Sequence, residues 1–177
     1  MNEFDLSTSV QKQKDPSQGG FANKSGRVLE AAVISLFTQH GFQELPFRTW
    51  SKSPQSYGED ILIRDVPYTS IYGHNGKTEF LAHSTRLSLT VRIECKWQQS
   101  SGSVDEKFPY LYLNCIFAMP EDFIIIVLDG GGAKPSAVSW LKNAAATRHL
   151  IPDDMPQKKI LVFALAEFMI WANLALR

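Results

Sequence analysis

The residues best suited to chemistry lie on one short run, Ile93-Glu94-Cys95-Lys96, where a carboxylate and an ammonium are separated by a single position. From Leu87 to Gln98, apolar Leu87, Leu89, Val91, Ile93, Cys95 and Trp97 alternate with Ser88, Thr90, Arg92, Glu94, Lys96 and Gln98. This strict period of two predicts a β-strand that directs Glu94 and Lys96 out of the same face, roughly 7 Å apart. Acidic oxygens hold Mg²⁺, and the ion can lower the pKa of a bound water and neutralise charge on a phosphodiester in the transition state. The ammonium can orient that water or steady the phosphate. Because Mg²⁺ is usually held by one or two carboxylates, with water and phosphate oxygens completing its shell, a second acid is needed from a neighbouring strand. Glu79 opens the run EFLAH fifteen positions before Glu94, and a reversal between the two would set their strands side by side. Asp60 and Asp65, on the run from Asp60 to Val66, are rival ligands. Taken alone, the Glu94 and Lys96 pair reads as a solvated strand face with an ion pair worth at most about 1 kcal/mol.

The elements that must position these groups follow from periodicity. A chain of 177 residues is enough for one domain with its own core. Residues 1–25 are polar and turn-rich, with QKQKDPSQGG at their centre, and predict a flexible N-terminal arm; residues 26–177 form the single domain. From Arg27 to His40, Leu29, Val33, Leu36, Phe37 and His40 fall on one helical stripe that Gly41 terminates. Short β-like runs follow at Phe42 to Phe47, Ile61 to Val66 and Thr78 to His83, as in a meander. After the Glu94 strand, SVDEKFPYLYLNCIF suits a helix with Ser103 and Glu106 in capping-box spacing, interrupted or displaced by Pro109. FIIIVL from Phe123 predicts a central, parallel strand ended by three glycines, and Lys159 to Leu165 a further buried strand. Helices are expected over Ser136 to Ala146 and Ala166 to Leu176. The order implies an α/β fold: a mixed sheet, antiparallel meander plus parallel strands, flanked by helices on both faces.

Thr78-Glu79-Phe80 followed by Ile93-Glu94-Cys95-Lys96 resembles the metal-binding signature of the PD-(D/E)XK nucleases, the restriction-endonuclease-like fold. GRVLEAAVISLFTQHGF, from Gly26 to Phe42, is similar to that superfamily's first helix, in which a Glu at the place of Glu30 helps to hold or orient a metal or its water. Gln98 resembles the additional polar residue placed just past the lysine. The resemblance spans about Gly26 to Leu165 and departs from the pattern where the usual Pro-Asp pair stands as Thr78-Glu79. It implies a Mg²⁺-dependent endonuclease acting on DNA, with Mn²⁺ as a substitute, Glu79 and Glu94 on the metal, Lys96 at the attacking water, and Glu30 and Gln98 in support. It also implies a homodimer for cutting two strands. A catalytically inactive nucleic-acid-binding or assembly subunit that retains the fold is the alternative, supported by Thr78-Glu79.

Composition narrows the partners. Eighteen Lys plus Arg balance eighteen Asp plus Glu, so a polyanion must be engaged through a local groove, for which Lys107, Lys134, Lys142 and Arg148 are candidates. Cys95 and Cys115 give neither a disulfide framework nor zinc spacing, and the four histidines, at 40, 74, 83 and 149, read as structural or surface groups. The three glycines at 130–132 lack the Lys and Ser or Thr of a phosphate-cradling loop and read as a turn. The tryptophans and the run Phe108, Tyr110, Tyr112 read as core rather than as base-stacking groups. Without a signal peptide or long apolar run, the chain is expected to be soluble and cytoplasmic, with no membrane partner.

Overall fold

The computed structural model describes residues 16–99 and 105–177. Helix α1 (Pro16–Gln39) precedes strand β1 (Gln43–Pro46), the single turn α2 (Phe47–Trp50), and strands β2 (Asp60–Thr69), β3 (Asn75–Ser84) and β4 (Leu89–Trp97). Helix α3 (Phe108–Phe117), strand β5 (Phe123–Asp129), helix α4 (Pro135–Ala146), strand β6 (Lys159–Ala164) and helix α5 (Leu165–Ala175) complete the chain. All six strands form one sheet in sequence order. β3 runs antiparallel to both β2 and β4, whereas β1 lies parallel to β2, and β4, β5 and β6 run parallel. This is the expected mixed sheet: the antiparallel part needs only hairpins, and the parallel part needs the crossover helices α3 and α4.

Two cores hold the longer helices on the sheet, and a smaller third one gathers Leu45, Ile61, Ile63 and Val66 against Phe47 and Trp50 of α2. On one face Leu29, Val33, Leu36 and Phe37 of α1 and Phe168 and Ala172 of α5 bury Phe80, Ala82, Val91, Ile93, Ile125 and Val127. On the other, Phe108, Leu111, Tyr112 and Ile116 of α3 and Leu141, Ala144 and Ala145 of α4 cover Ile124, Ile126, Ile160 and Val162. Alternation along each strand therefore sends neighbouring residues into different cores. FIIIVL is apolar throughout because both sides of β5 are covered.

Several expectations change. The first helix starts at Pro16 rather than near Arg27, so the expected arm is helical from Pro16 on, and residues 1–15 lie outside the described residues. Phe47 begins a helical turn instead of closing β1, which ends at the preceding Pro46. β6 is the edge strand of the sheet and only alternate residues are buried, so it is half-covered rather than central. Pro109 displaces α3 as anticipated: Asp105–Lys107 form a 3₁₀ turn and the helix opens at Phe108, leaving proline in the first turn where its missing N–H costs nothing. Ser103 of the expected capping box lies outside the described residues. Among the described residues no helix is long and apolar enough to cross a membrane.

The end of β4 depends on one glycine. Gly130 has φ +98°, and a Cβ there would stand 2.3 Å from the Gln98 carbonyl oxygen. Gln98 N–H donates to Asp129 O at 2.9 Å, and Gly132 N–H donates back to Gln98 O at 2.7 Å. The turn after β5 thus fixes Gln98, two positions past Lys96. Gly130→Ala combines backbone strain with a clash against backbone, and is expected to cost about 2 kcal/mol or more in urea unfolding. A Gly130→Ala protein as stable as the parent would show that the turn is not constrained in this way.

Candidate active site

The β3–β4 ladder runs from Ser84↔Leu89 to Phe80↔Ile93 and stops one pair short of where Glu79 would face Glu94. The β2–β3 ladder is also interrupted beside Glu79. Pairing passes from Arg64↔Phe80 to Val66↔Thr78, and the residue left between them, Asp65, has φ +55°. The sheet therefore opens on both sides of Glu79. Into the gap, the Cys95 backbone N–H donates to Glu79 Oε2 at 2.8 Å, so a side chain replaces the missing ladder carbonyl.

Glu94 points into the same opening. Its side chain is only 5% exposed and Lys96 Nζ is ion-paired with its Oε1. Oε2 is buried and, among the described residues, has no hydrogen-bond donor. Burial holds the Glu94 pKa well above the ordinary carboxylate range. Lys96 opposes that shift, while the charge of Glu79 and a hydrogen bond to Glu79 that only the protonated form can make add to it. Burial works against the Lys96 ammonium, but the charges of Glu94 and Glu79 outweigh it and keep the lysine firmly protonated.

Glu30 enters from α1, as its place beside the apolar stripe predicts. It lines a cleft of about 180 Å³ with Arg64, Asp65, Lys77, Thr78, Glu79 and Phe80. Burial, then the charges of Glu79 and Asp65, raise its pKa against the pull of Lys77 and Arg27. Glu30, Glu79, Glu94 and Lys96 are thus brought together around the opening in the sheet. Gln98 follows directly on β4, where its amide Nε2 donates to Gly132 O at 3.3 Å.

Of the rival acids, Asp60 lies apart from the cleft, whereas Asp65 lines it together with Glu30 and Glu79. Asp60 lies opposite Ser84 at the far end of the β2–β3 ladder, hydrogen-bonded by Ser84 and ion-paired with Arg86 at 2.9 Å. Asp65 is on the cleft's rim, ion-paired with Lys77. The expected basic groove is not assembled from the four cations named for it. Lys142 and Arg148 line a pocket beside β6, the former ion-paired with Glu167 at 2.8 Å and the latter donating to Lys158 O and Met155 O. Lys134 starts α4 with its N–H on Asp105, and Lys107 precedes α3. Lys77 is the lysine that lines the carboxylate cleft, where it is ion-paired with Asp65.

A second feature missed in sequence accounts for Thr78. Arg92, 2% exposed, ion-pairs with Glu121 through Nε and Nη2, the latter at 2.7 Å, and its Nη1 donates to Thr78 Oγ1 at 2.9 Å and Val66 O at 3.3 Å. A hydroxyl rather than a proline ring next to Glu79 lets the buried guanidinium tie β2, β3 and β4 together where the ladders part. Alternation alone put Arg92 on a polar face; nothing in the sequence paired it with Glu121.

A model of the PD-(D/E)XK nuclease superfamily domain matches residues 21–176. The chain belongs to the PD-(D/E)XK nuclease superfamily. No curated protein and no solved structure gives a significant match. The mixed six-stranded sheet flanked by helices agrees with this superfamily's fold, and its members generally use divalent metals. The donor set fits such an ion. A buried oxygen without a donor, set against a second carboxylate, is a poor place for two negative charges and a good one for a hard cation. Among the described residues no three His, Cys, Asp or Glu side chains are grouped so as to hold a metal ion.

Binding of a cation here must stabilise the fold by mass action, by about 2.7 kcal/mol at a hundredfold excess over Kd. Mn²⁺ or Mg²⁺ is expected to raise Tm in scanning fluorimetry relative to chelator, and Glu94→Gln is expected to abolish the rise. An undiminished rise in Glu94→Gln would place the cation elsewhere.

Proposed function

We propose that this chain is a Mg²⁺-dependent endonuclease that hydrolyses DNA phosphodiester bonds, with Mn²⁺ able to substitute. The observation that carries the reading is the buried Glu94 carboxylate, lacking a donor on Oε2 and lying against Glu79 with the Lys96 ammonium beside it. A fold has no use for such an arrangement on stability grounds, since an apolar pair of similar volume would pack there at lower cost. Glu79 and Glu94 would hold the ion, which when bound supplies Lewis acidity toward a water and a phosphate oxygen.

The chain's own groups divide the remaining work. Lys96, its charge favoured by Glu94 and Glu79, would orient the attacking water or steady the phosphate electrostatically. Glu30, with its pKa raised on the open side of the cleft, is placed to orient water next to Glu79. Gln98 is held against the Gly130–Gly132 turn and supports the position of the lysine strand. One such site cuts one strand, and cleavage of both strands calls for a homodimer. Two buried, unbridged cysteines suit a reducing cytoplasm.

The alternative, an inactive nucleic-acid-binding or assembly subunit, draws on Glu79: one of its oxygens already accepts the Cys95 N–H, and Thr78-Glu79 replaces the usual Pro-Asp. Incubation of the purified protein with supercoiled and branched DNA separates the two. Nicking is expected with Mg²⁺ or Mn²⁺, none with chelator, and a rate about 10²–10³-fold lower for Lys96→Ala. Absence of metal-dependent nicking on every substrate would favour the inactive subunit.

A further inference from the structure

The tip of the β2–β3 hairpin, whose strand β3 carries Glu79, bears aromatic rings. Tyr72 is 68% exposed, yet its ring stacks on that of Tyr110 with centroids 4.9 Å apart and planes at 26°. His74 meets Tyr72 edge-on at 6.3 Å. The tip is rigidly held. Ser70 N–H donates to His74 O at 2.9 Å and Gly73 N–H to Ser70 O at 2.8 Å. Buried Asn114 of α3 accepts the Ile71 N–H at 3.0 Å through Oδ1 and donates through Nδ2 to Tyr110 O at 2.7 Å. One asparagine therefore fixes both sides of the Tyr72–Tyr110 stack.

Tyr68 lies on strand β2 of the same hairpin. Gly76, its cross-strand partner, has no side chain, and a Cβ there would stand 2.7 Å from the Tyr68 ring, so the ring lies across the strand. Burial raises the pKa of Tyr68, and the charge of Glu94 adds to that shift. Tyr72 thus sits at the tip of the hairpin whose strand β3 carries Glu79, and Lys107 precedes the helix that carries Tyr110. An exposed tyrosine backed by a second ring has one face committed and the other open. Base–aromatic stacking uses such a face, but in an uninterrupted duplex both faces of every base are already covered by neighbours.

We propose that Tyr72, braced by Tyr110, is a stacking platform for an unpaired base of the nucleic acid strand that enters the site, so that the preferred substrate contains a single-stranded segment. This rests on the nuclease reading for the identity of the strand, and deepens it by naming the substrate class and a residue that selects it. Tyr72 is a binding residue; it takes no part in bond breaking.

The test is binding in chelator, where no cleavage occurs. Fluorescence anisotropy of a short labelled single-stranded oligodeoxynucleotide, its RNA counterpart and the blunt duplex is compared for the parent, Tyr72→Ala, Tyr72→Leu and Tyr72→Phe. A lost stack of about 1 kcal/mol or more weakens single-strand binding about fivefold or more in the Ala and Leu proteins. Tyr72→Phe, which keeps the ring, stays within about twofold of the parent, and duplex binding is unchanged in all four. The DNA and RNA arms report which strand is preferred. Tyr72→Leu keeps apolar cover on Tyr110, so loss in that variant is not loss of packing. Equal effects on single strand and duplex, no effect of the Ala and Leu changes, a Phe protein as weak as the Ala protein, or no saturable single-strand binding each overturns the proposal. Catalytic failure is read separately: the predicted binding pattern without metal-dependent nicking keeps the platform and removes the hydrolase, and the reverse combination removes only the platform.

Discussion

A buried carboxylate held beside a second, half-buried one is the constraint on which this molecule turns. Glu94 is buried with an oxygen that no described group hydrogen-bonds, and Glu79 stands against it. Like charges in a low-dielectric setting repel far more strongly than at a surface, and Lys96 can neutralise only part of the pair. Such an arrangement persists only when the surrounding structure enforces it, and the surroundings do. The cores on both sides of β4 and β5 fix the strand that carries Glu94, while α1 covers the face from which Glu30 approaches.

The opening between strands is what makes the pair possible. In a continuous ladder Glu79 and Glu94 would be cross-strand partners on a flat surface; here both ladders lapse at Glu79, and its carboxylate turns to accept the Cys95 N–H. Arg92 keeps the opening in shape. Its guanidinium spans Val66, Thr78 and Glu121, so three segments are tied by one buried cation that donates from all three of its nitrogens. Lys158 extends the support by donating to Met119 O and Glu121 O. A buried charge held by several hydrogen bonds fixes geometry more tightly than apolar contacts do.

Strand alternation from Leu89 to Trp97 and the apolar run of β5 were legible in sequence because each reports a local rule, one covered face or two. Glu30, Glu79, Glu94 and Lys96 could be ordered along the chain for the same reason, helped by the resemblance of their motifs. What remained hidden depends on partners distant in sequence. The positive φ at Asp65, the recruitment of Lys77 to the cleft, and the Arg92–Glu121 pair have no local signature. The cations proposed for a groove failed for a related reason: net neutrality demanded a local basic patch, but charge counting could not say that Lys142 and Arg148 would be engaged beside β6. Polar β2 and β3 residues near the hairpin tip likewise gave no hint that Tyr72 would find Tyr110.

The central claim, that Glu79 and Glu94 converge on one divalent cation, is tested most directly by crystals of the protein grown with Mn²⁺ and measured for anomalous scattering. The account predicts a peak within coordination distance of oxygens from both carboxylates, about 2.0–2.2 Å as for a small hard ion, with Lys96 Nζ nearby but not ligating. A peak bound elsewhere, or crystals saturated with Mn²⁺ whose density shows Glu94 contacting only Lys96, would contradict it.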